Sequence, residues 1–205
     1  MLLYVTKLII FVKLKNNKMK KIIFKVIIIL LFTQFSKAQN ITFDIDKSSI
    51  IWTGKNIVNK SHYGSLSFVE ADIKFDNSGD ISGFFKVDLN SLNVLDLQGD
   101  WKKNLEGHLK SDDFFAVDKF RYATLELLSS SLNDDYYLVE GNLTIKGITK
   151  SVSFKMYKND NNFKVSMVFD RSDFNVKYGS GKFFENLGDN MILDEVELVI
   201  ELVKS

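Results

Sequence analysis

Few side chains in this sequence could take part in acid–base, nucleophilic or metal chemistry. The 205 residues include two histidines, His62 and His108, and no cysteine. Without a thiol there is neither a cysteine nucleophile nor a Cys-ligated zinc site. A metal site would have to combine both histidines with carboxylates such as Asp112 and Asp113. His62 falls in a predicted turn, and the predicted helix around His108 offers no ligand partner one turn away. The sequence therefore favours a local hydrogen bond or a place at a pocket mouth for each histidine.

Other catalytic arrangements are weakly supported. The acidic pairs Asp112–Asp113, Asp134–Asp135 and Asp194–Glu195 are sequence neighbours, whose side chains diverge in strands or lie in turns. A glycosidase needs two carboxylates that face each other across the substrate. The serines at 129–131 lack the small-residue elbow of a nucleophilic serine, and no glycine-rich phosphate loop is present. We expect no catalytic residue, no metal and no cofactor.

The net charge of +1 hides two unlike pieces of chain. Residues 1–38 contain eight lysines and no acidic residue, whereas the remainder has 19 basic and 26 acidic residues, a net charge of −7. The acidic part has no concentrated basic stripe that could contact phosphates, so we expect no nucleic-acid partner.

The lysine-rich piece has the features of a secretory signal. Met19-Lys20-Lys21 forms a charged start, Val26–Phe32 an apolar run, and Ser36-Lys37-Ala38 a small-residue cleavage site. We predict cleavage after Ala38 and a periplasmic or secreted location. We also predict that translation starts at Met19, so that residues 1–18 are not translated. The apolar run is shorter than the ~20 residues of a spanning helix, which disfavours an uncleaved anchor. We therefore expect no stable membrane span after cleavage.

Alternation with period two dominates the chain after residue 40. The pattern predicts an antiparallel sheet with one apolar and one polar face. It indicates about eight strands, at residues 41–46, 49–55, 62–76, 80–90, 121–132, 136–147, 150–158 with 162–172, and 190–203.

One segment breaks this alternation. Trp101, Leu105, His108 and Leu109 have helical spacing, which predicts a short amphipathic helix with Asp100 as its N-cap. Eight strands and one helix close most economically into a barrel, because closure removes exposed edges. A barrel of this size holds either packed side chains or one ligand, and the periodicity leaves a dry core and an apolar tunnel equally open.

Several strings resemble the YceI-like family, in the same order and over residues 41–203. They are His108–Thr124, Gly141–Lys150, Phe169–Phe174, and Ile51–Lys55 together with Ser61–Gly64. The resemblance implies an all-β protein, an eight-stranded antiparallel lipocalin-like β-barrel with one short helix. It also implies a secreted or periplasmic carrier of a long isoprenoid or fatty chain in an apolar pore, and it is compatible with a homodimer.

One position departs from the family pattern. The family usually has proline after the aromatic residue where this chain has Arg121. Because arginine cannot fix φ as proline does, we expect a looser transition from the helix to the next strand.

The resemblance and the alternation together suggest a ligand site for a long-chain apolar lipid such as a polyisoprenoid. We expect the tunnel to be lined by Phe85, Val87, Leu143, Ile145, Phe154, Met156, Val165, Met167 and Phe169. His108 and Arg171 are expected near an opening, where they meet a polar head group. Three alternatives stay open: a dry core, an enzyme acting on a bound lipid, and a secreted interaction module with an apolar patch at Phe183–Phe184.

Overall fold

The computed structural model describes residues 39–76, 79–160 and 162–205. The predicted leader and the cleavage site after Ala38 lie outside the described residues and stay predictions. The described chain forms one helix of the α type, α1 (Gly99–Lys110), and nine strands. The strands are β1 (Gln39–Thr42), β2 (Ser49–Asn56), β3 (Ser61–Phe75), β4 (Ile81–Val94), β5 (Tyr122–Leu132), β6 (Tyr136–Ile145), β7 (Ile148–Asn159), β8 (Asn162–Asp170) and β9 (Ile192–Leu202).

The sheet closes on itself. From β2 to β9 each strand pairs antiparallel with the next, and β9 returns to β2 through pairs from Ser49–Glu201 to Asn56–Ile192. β1 pairs with the far half of β3, from Gln39–Phe75 to Thr42–Asp72. β1 and β2 therefore share one position, and the ring has eight positions. The predicted all-β, eight-stranded antiparallel barrel with one short helix is confirmed.

The sequence predicted one strand over residues 41–46, whereas β1 ends at Thr42 and a turn follows. Asp44 accepts hydrogen bonds from the backbone N–H groups of Asp46 and Lys47, each at 3.2 Å. Such a carboxylate-capped turn competes with the sheet ladder. The predicted end of this strand is therefore wrong. The segment predicted as 150–158 with 162–172 forms two strands, β7 and β8.

The two ends of the barrel differ in their connections. Short turns join β3 to β4, β5 to β6 and β7 to β8 at one end, which we call the short-turn end. The opposite end, the helix end, carries α1, the β2–β3 hairpin and the long β8–β9 connection. It also carries the two-residue β6–β7 turn, in which Lys146 and Gly147 both have positive φ, at 51° and 72°. Positive φ at both positions matches the right-handed twist of a tight hairpin.

Aromatic side chains fill the short-turn end. The ring centroids of Phe43 and Phe163 lie 5.9 Å apart, those of Phe75 and Phe163 6.2 Å, and those of Phe75 and Tyr137 5.9 Å. These spacings are within the range of favourable aromatic pairs. The barrel therefore has a solid floor at this end.

The helix begins earlier than its predicted cap. Its N-cap is Gln98, which makes no side-chain cap bond, and Asp100 lies inside the first turn. The prediction of Asp100 as N-cap is therefore wrong, although a carboxylate in the first turn still suits the helix dipole. Trp101, expected on the apolar face, is 77% exposed, and Leu109 is the buried residue of the helix.

Arg121 fastens the start of β5, where we expected a looser transition. Its Nε and Nη2 donate to the two carboxylate oxygens of Asp88 on β4, at 3.2 and 2.8 Å. The Arg121 carbonyl also accepts from the backbone N–H of Leu89 at 2.9 Å. A fork of two parallel bonds fixes both distance and orientation. The side chain thus anchors the strand by pairing, in place of a fixed φ.

This pair predicts a pH-dependent contribution to stability. The hydrogen bond from Arg121 lowers the pKa of Asp88 below its ordinary value. Because the folded state favours the carboxylate, the contribution is present at neutral pH and is lost as the pH falls through that lowered pKa. We expect Asp88→Asn to have a lower free energy of unfolding than wild type at about pH 7, and we expect this difference to shrink towards about pH 3. Urea unfolding at both pH values measures it, and a difference that stays constant with pH would contradict the assignment.

Candidate functional site: an apolar cavity

The barrel encloses a cavity of about 470 Å³. This volume lies within the range of small-molecule sites, roughly 300–1,000 Å³. Every one of the eight strand positions contributes side chains to its wall. The cavity exists because the inward faces carry mainly aliphatic residues at this level, whereas the floor below is filled by larger rings.

The structure places all of the sequence-predicted site residues on the cavity wall. They are Phe85 and Val87 on β4, Leu143 and Ile145 on β6, Phe154 and Met156 on β7, Val165, Met167 and Phe169 on β8, with His108 on α1 and Arg171 after β8. Strict alternation explains this outcome for the strands, since inward side chains recur every second residue. Their contact with a ligand stays a prediction.

The wall also includes residues that the sequence reasoning did not select. Among them are Ile50 and Trp52 on β2, Leu66 and Phe68 on β3, Ala123, Leu125 and Leu127 on β5, Leu198, Ile200 and Leu202 on β9, and Leu105, Leu109, Phe114 and Phe115 at the helix end. The alternation along β9 could have identified its three residues as inward-facing. The helix-end residues carry no such signal, because their position depends on how α1 and the following turn pack over the barrel.

The cavity opens at the helix end. Lys60 and His62, from the β2–β3 hairpin, and Asp189 and Asn190, from the β8–β9 connection, belong to its lining and are exposed. The floor residues Phe43, Phe75, Tyr137 and Phe163 do not belong to the lining. The cavity is therefore a pocket with a polar mouth and an apolar depth.

Two basic side chains at this mouth are already paired. His62 Nδ1 lies 2.7 Å from Asp96 Oδ2, and Lys55 Nζ donates to Glu197 Oε1 at 2.6 Å. Both pairs are partly exposed, so water weakens their attraction. Lys60 and Asp189 are the remaining charged residues at the mouth.

His108 is held by aromatic contacts. Its ring centroid lies 4.4 Å from that of Tyr178 and 5.3 Å from that of Phe114, both edge-on. The imidazole is half-buried on the cavity wall. It therefore helps to build the upper wall of the pocket, close to the β8–β9 connection.

Arg171 is the most deeply buried charged residue of the site, at 1% exposure. Its Nη1 donates to the carbonyls of Val176 and Tyr178 at 3.1 and 2.9 Å. Its Nε and Nη2 donate to the carbonyls of Leu193 and Ile192, each at 3.2 Å. Four backbone carbonyls are thereby satisfied by one guanidinium, whose donors form a rigid planar fork.

A carboxylate balances the charge of this arginine. Arg171 Nη2 lies 3.1 Å from Asp194 Oδ1, and Ser180 Oγ donates to Asp194 Oδ2 at 2.9 Å. Burial lowers the pKa of the Arg171 guanidinium, and Asp194 opposes that change. With its donors engaged in this way, Arg171 fixes the β8–β9 connection and has little capacity left for the head-group contact expected of it.

Residues 39–76, 79–160 and 162–205 contain no group of three or more histidine, aspartate or glutamate side chains placed to hold a metal ion. In the same part of the chain, no helix combines the length and hydrophobicity needed to cross a membrane.

The fold and the pocket define a class of protein: a closed eight-position antiparallel barrel around an apolar cavity. The family model described as YceI-like domain matches residues 41–204. The chain belongs to this YceI-like family.

Solved structures share the fold. BcnA from Burkholderia cenocepacia superposes with a TM-score of 0.64 at 25% identity, over 78% of this chain and 98% of that chain. A polyisoprenoid binding domain from Saccharophagus degradans, implicated in plant cell wall breakdown, gives a TM-score of 0.55 at 14% identity, over 78% and 95% of the two chains. At that identity the second likeness shows the fold alone.

Sequence relatives cover part of the chain. A UPF0312 protein of Staphylococcus aureus is 32% identical over 115 residues, which is 56% of this chain and 63% of the relative. A UPF0312 protein of Yersinia pestis is 32% identical over 93 residues, 45% of this chain and 46% of the relative. The chain therefore spans less than two thirds of the length of these curated relatives.

The two arginines of the sequence, Arg121 and Arg171, allow a matched test of burial. Arg171→Lys retains the charge but has three donors, so it leaves buried carbonyls unsatisfied. We expect it to lower the free energy of unfolding by about 2–5 kcal/mol. Arg121→Lys, at an exposed site, should change stability little. Urea unfolding of both variants measures this, and equal effects would contradict the role assigned to Arg171.

Proposed function

We propose that this protein is a secreted or periplasmic binding protein that holds a long apolar lipid, of the isoprenoid or fatty-chain type, in the barrel interior. The observation that carries the proposal is the cavity of about 470 Å³ with an aliphatic and aromatic wall. A dry core would bring these side chains into contact across the barrel, as occurs at the aromatic floor. The predicted signal peptide supports the location.

The shape of the pocket suits a single chain with its tail inserted first. The floor is apolar and closed, and the mouth carries the polar residues Lys60, His62, Asp189 and Asn190. Each buried methylene contributes about 0.8 kcal/mol, so about fifteen methylenes contribute about 12 kcal/mol before the costs of association. Those costs are roughly 4–15 kcal/mol, which leaves room for useful affinity with few polar contacts.

Relatives point in the same direction. The polyisoprenoid binding domain of Saccharophagus degradans has the same fold. Because a fold alone does not fix function, the wall of the cavity must carry the argument for this chain. The homodimer with which the family resemblance is compatible stays a prediction.

We propose binding without chemical turnover. Three of the ionisable side chains that line the cavity are engaged: Arg171 with carbonyls and Asp194, Lys55 with Glu197, and His62 with Asp96. A general acid or base needs a free group within reach of the reacting atom. A turnover assay on the extracted lipid separates a binding protein from an enzyme that acts on it.

A protein-interaction module is the second candidate, and one observation favours it. Phe183 and Phe184, in the β8–β9 connection, are 44% and 49% exposed. Exposed apolar patches of sufficient area mark interaction sites. Serine at both positions should abolish partner binding and leave lipid binding unchanged if this function exists beside the first.

The lipid-binding proposal predicts opposite outcomes for two neighbouring residues of β8. Met167 points into the cavity at 3% exposure, whereas Val168 points outward at 52% exposure. Met167→Asp places a carboxylate against the lipid tail and should weaken binding at least about tenfold. Val168→Asp should leave affinity within about twofold. Native mass spectrometry followed by organic extraction measures lipid retention by each variant.

A cavity-filling variant controls for loss of fold. Ala123 lines the cavity and is 9% exposed. Ala123→Phe adds apolar volume there without a charge, so it should also reduce lipid retention in a folded protein. Thermal unfolding of all three variants confirms the fold. Undiminished binding by folded Met167→Asp and Ala123→Phe would overturn the cavity as the binding site.

A further inference from the structure

Exposed aromatic side chains lie at one end of the barrel. Among residues 39–76, 79–160 and 162–205, every exposed aromatic side chain belongs to the helix end, and the other aromatic side chains are buried or half-buried. The exposed set is Tyr63, Trp101, Phe120, Tyr122, Tyr178, Phe183 and Phe184. Large exposed apolar patches mark interaction sites. The end at which the cavity opens is therefore also the end suited to contact another surface.

The β2–β3 hairpin and α1 bring apolar side chains to the edge of the mouth. Ile57 and Val58 are exposed at the hairpin tip, next to Lys60 of the mouth. Trp101 lies one helical turn before Leu105, so these two side chains are on the same face of α1. Because Leu105 lines the cavity, the exposed indole of Trp101 lies beside the mouth.

The β8–β9 connection adds two phenylalanines to this edge. The backbone N–H groups of Phe183 and Phe184 both donate to the carbonyl of Ser180 at 3.1 Å, so a turn holds the pair. The same connection reaches the hairpin, where the Ile57 N–H donates to the Met191 carbonyl at 2.9 Å. We call Ile57, Val58, Trp101, Phe183 and Phe184 the apolar rim, and their exposed fractions run from 44% to 77%.

Lysine side chains accompany the apolar rim. Lys177 Nζ lies 5.1 Å from the centroid of the Phe183 ring. Lys60 and Lys103 each lie two residues after a rim residue, and both are exposed. Aromatic and aliphatic groups with lysines beside them are typical of proteins that lie at a membrane surface, where the ring enters the head-group region and the ammonium contacts phosphate.

The two ends of the barrel also differ in charge. The short-turn end has six lysines and arginines against twelve aspartates and glutamates, whereas the helix end has twelve of each kind. These counts cover residues 42–48, 70–84, 126–140, 155–166 and 201–205 for the short-turn end, and 54–63, 95–121, 146–150 and 170–195 for the helix end. An anionic surface repels the short-turn end, so it orients the helix end and its mouth towards itself.

A bilayer fits the apolar rim better than a second copy of the chain does. Protein interfaces depend on close shape complementarity. A rim that borders an open cavity offers little continuous surface for such packing, whereas fluid lipid head groups adapt to it. The charge difference between the ends also favours a surface that is anionic as a whole, as a bilayer with anionic lipids is.

We propose that the helix end is a membrane-docking surface. The apolar rim enters the head-group region of a bilayer that contains anionic lipids, the lysines beside it contact lipid phosphates, and the mouth of the cavity faces the bilayer. The proposal goes beyond the proposed lipid-binding function, because docking needs no occupant in the cavity. In this orientation an apolar chain passes between bilayer and barrel without crossing water.

The first test follows the fluorescence of Trp101, since Trp52 and Trp101 are the two tryptophans of the sequence. The probe is a vesicle of phosphatidylglycerol and phosphatidylcholine in equal amounts, with bromine on the acyl chains close to the head group. Insertion of the rim should shift the Trp101 emission to shorter wavelength, and bromine should quench it. Trp101→Phe leaves the buried Trp52 and should show neither change.

This readout is local to the apolar rim. Attraction of the lysines in residues 1–38 to the vesicle does not by itself bring Trp101 into contact with bromine. A wild-type spectrum that these vesicles leave unchanged would overturn the proposal.

The second test compares two pairs of exposed apolar residues at opposite ends of the barrel. Phe183→Ser with Phe184→Ser removes part of the rim and should weaken vesicle affinity about tenfold. Leu132→Ser with Leu138→Ser, at the short-turn end, should leave this affinity within about twofold. Titration of the Trp101 quenching with vesicles measures both, and thermal unfolding confirms the fold. Equal effects of the two double variants would contradict insertion of the rim.

The charge difference between the ends is tested separately. Quenching of Trp101 should need less lipid with the anionic vesicles than with vesicles of phosphatidylcholine alone, and high salt should reduce this preference. Lys103→Glu, beside the rim, should also reduce the preference, whereas Lys158→Glu, exposed at the short-turn end, should keep it. Equal reductions by both variants would contradict the orientation of the helix end towards the bilayer.

Ala123→Phe separates docking from occupation of the cavity. It fills the cavity and leaves the apolar rim unchanged, so it should lose retained lipid and keep the quenching of Trp101. Loss of quenching in folded Ala123→Phe would assign the signal to single lipids in the cavity and overturn docking. If wild type retains lipid but gives no quenching, lipid binding stands and docking is overturned. A dimer without vesicles that the double serine variant of the rim converts to monomer, with no quenching in wild type, would assign the rim to contact between copies.

Discussion

Closure of the sheet is the constraint on which the rest of the molecule depends. β3 pairs with β4 on one side and with β2 and β1 on the other, while β9 returns to β2. Closure satisfies the backbone groups that an open edge would expose. It also fixes the interior circumference, so the size of the inward side chains decides whether the interior is solid. Aromatic rings fill the short-turn end, and mainly aliphatic residues together with Gly54 line the hollow above it.

A hollow barrel needs a rigid mouth, and Arg171 supplies one. The connection after β8 contains little regular structure, so its carbonyls have few ladder partners. One guanidinium binds two carbonyls of this connection and two at the start of β9, and Asp194 neutralises its charge. The arrangement costs desolvation of an ion pair, which the hydrogen bonds of the guanidinium help to offset.

The sequence predicted those features that depend on local period. Alternation in β4 and β8 placed Phe85 and Met167 on the inner face, and the structure agrees. It could not show that the chain turns at Asp44. The alternation continues through this segment, and the hydrogen bonds from backbone N–H groups to the Asp44 carboxylate that form the turn leave no mark on it. Nor could the sequence show the partners of Arg171, which come from segments up to 23 residues away in sequence. The prediction that Trp101 lies on the packed face of the helix was wrong. Helical spacing groups residues on one face but does not show which part of that face another element covers.

The order of the strands bears on how the molecule folds. Seven of the eight ladders in the ring join strands that follow each other in the chain, and the β2–β9 ladder alone joins its two ends. Hairpins can therefore zip in sequence with small losses of loop entropy, whereas the final seam closes a loop of most of the domain. An unclosed barrel has no enclosed interior and cannot retain a ligand. A ligand that binds only the closed barrel would stabilise the β2–β9 ladder against opening. Release of the ligand and opening of the barrel would then be coupled.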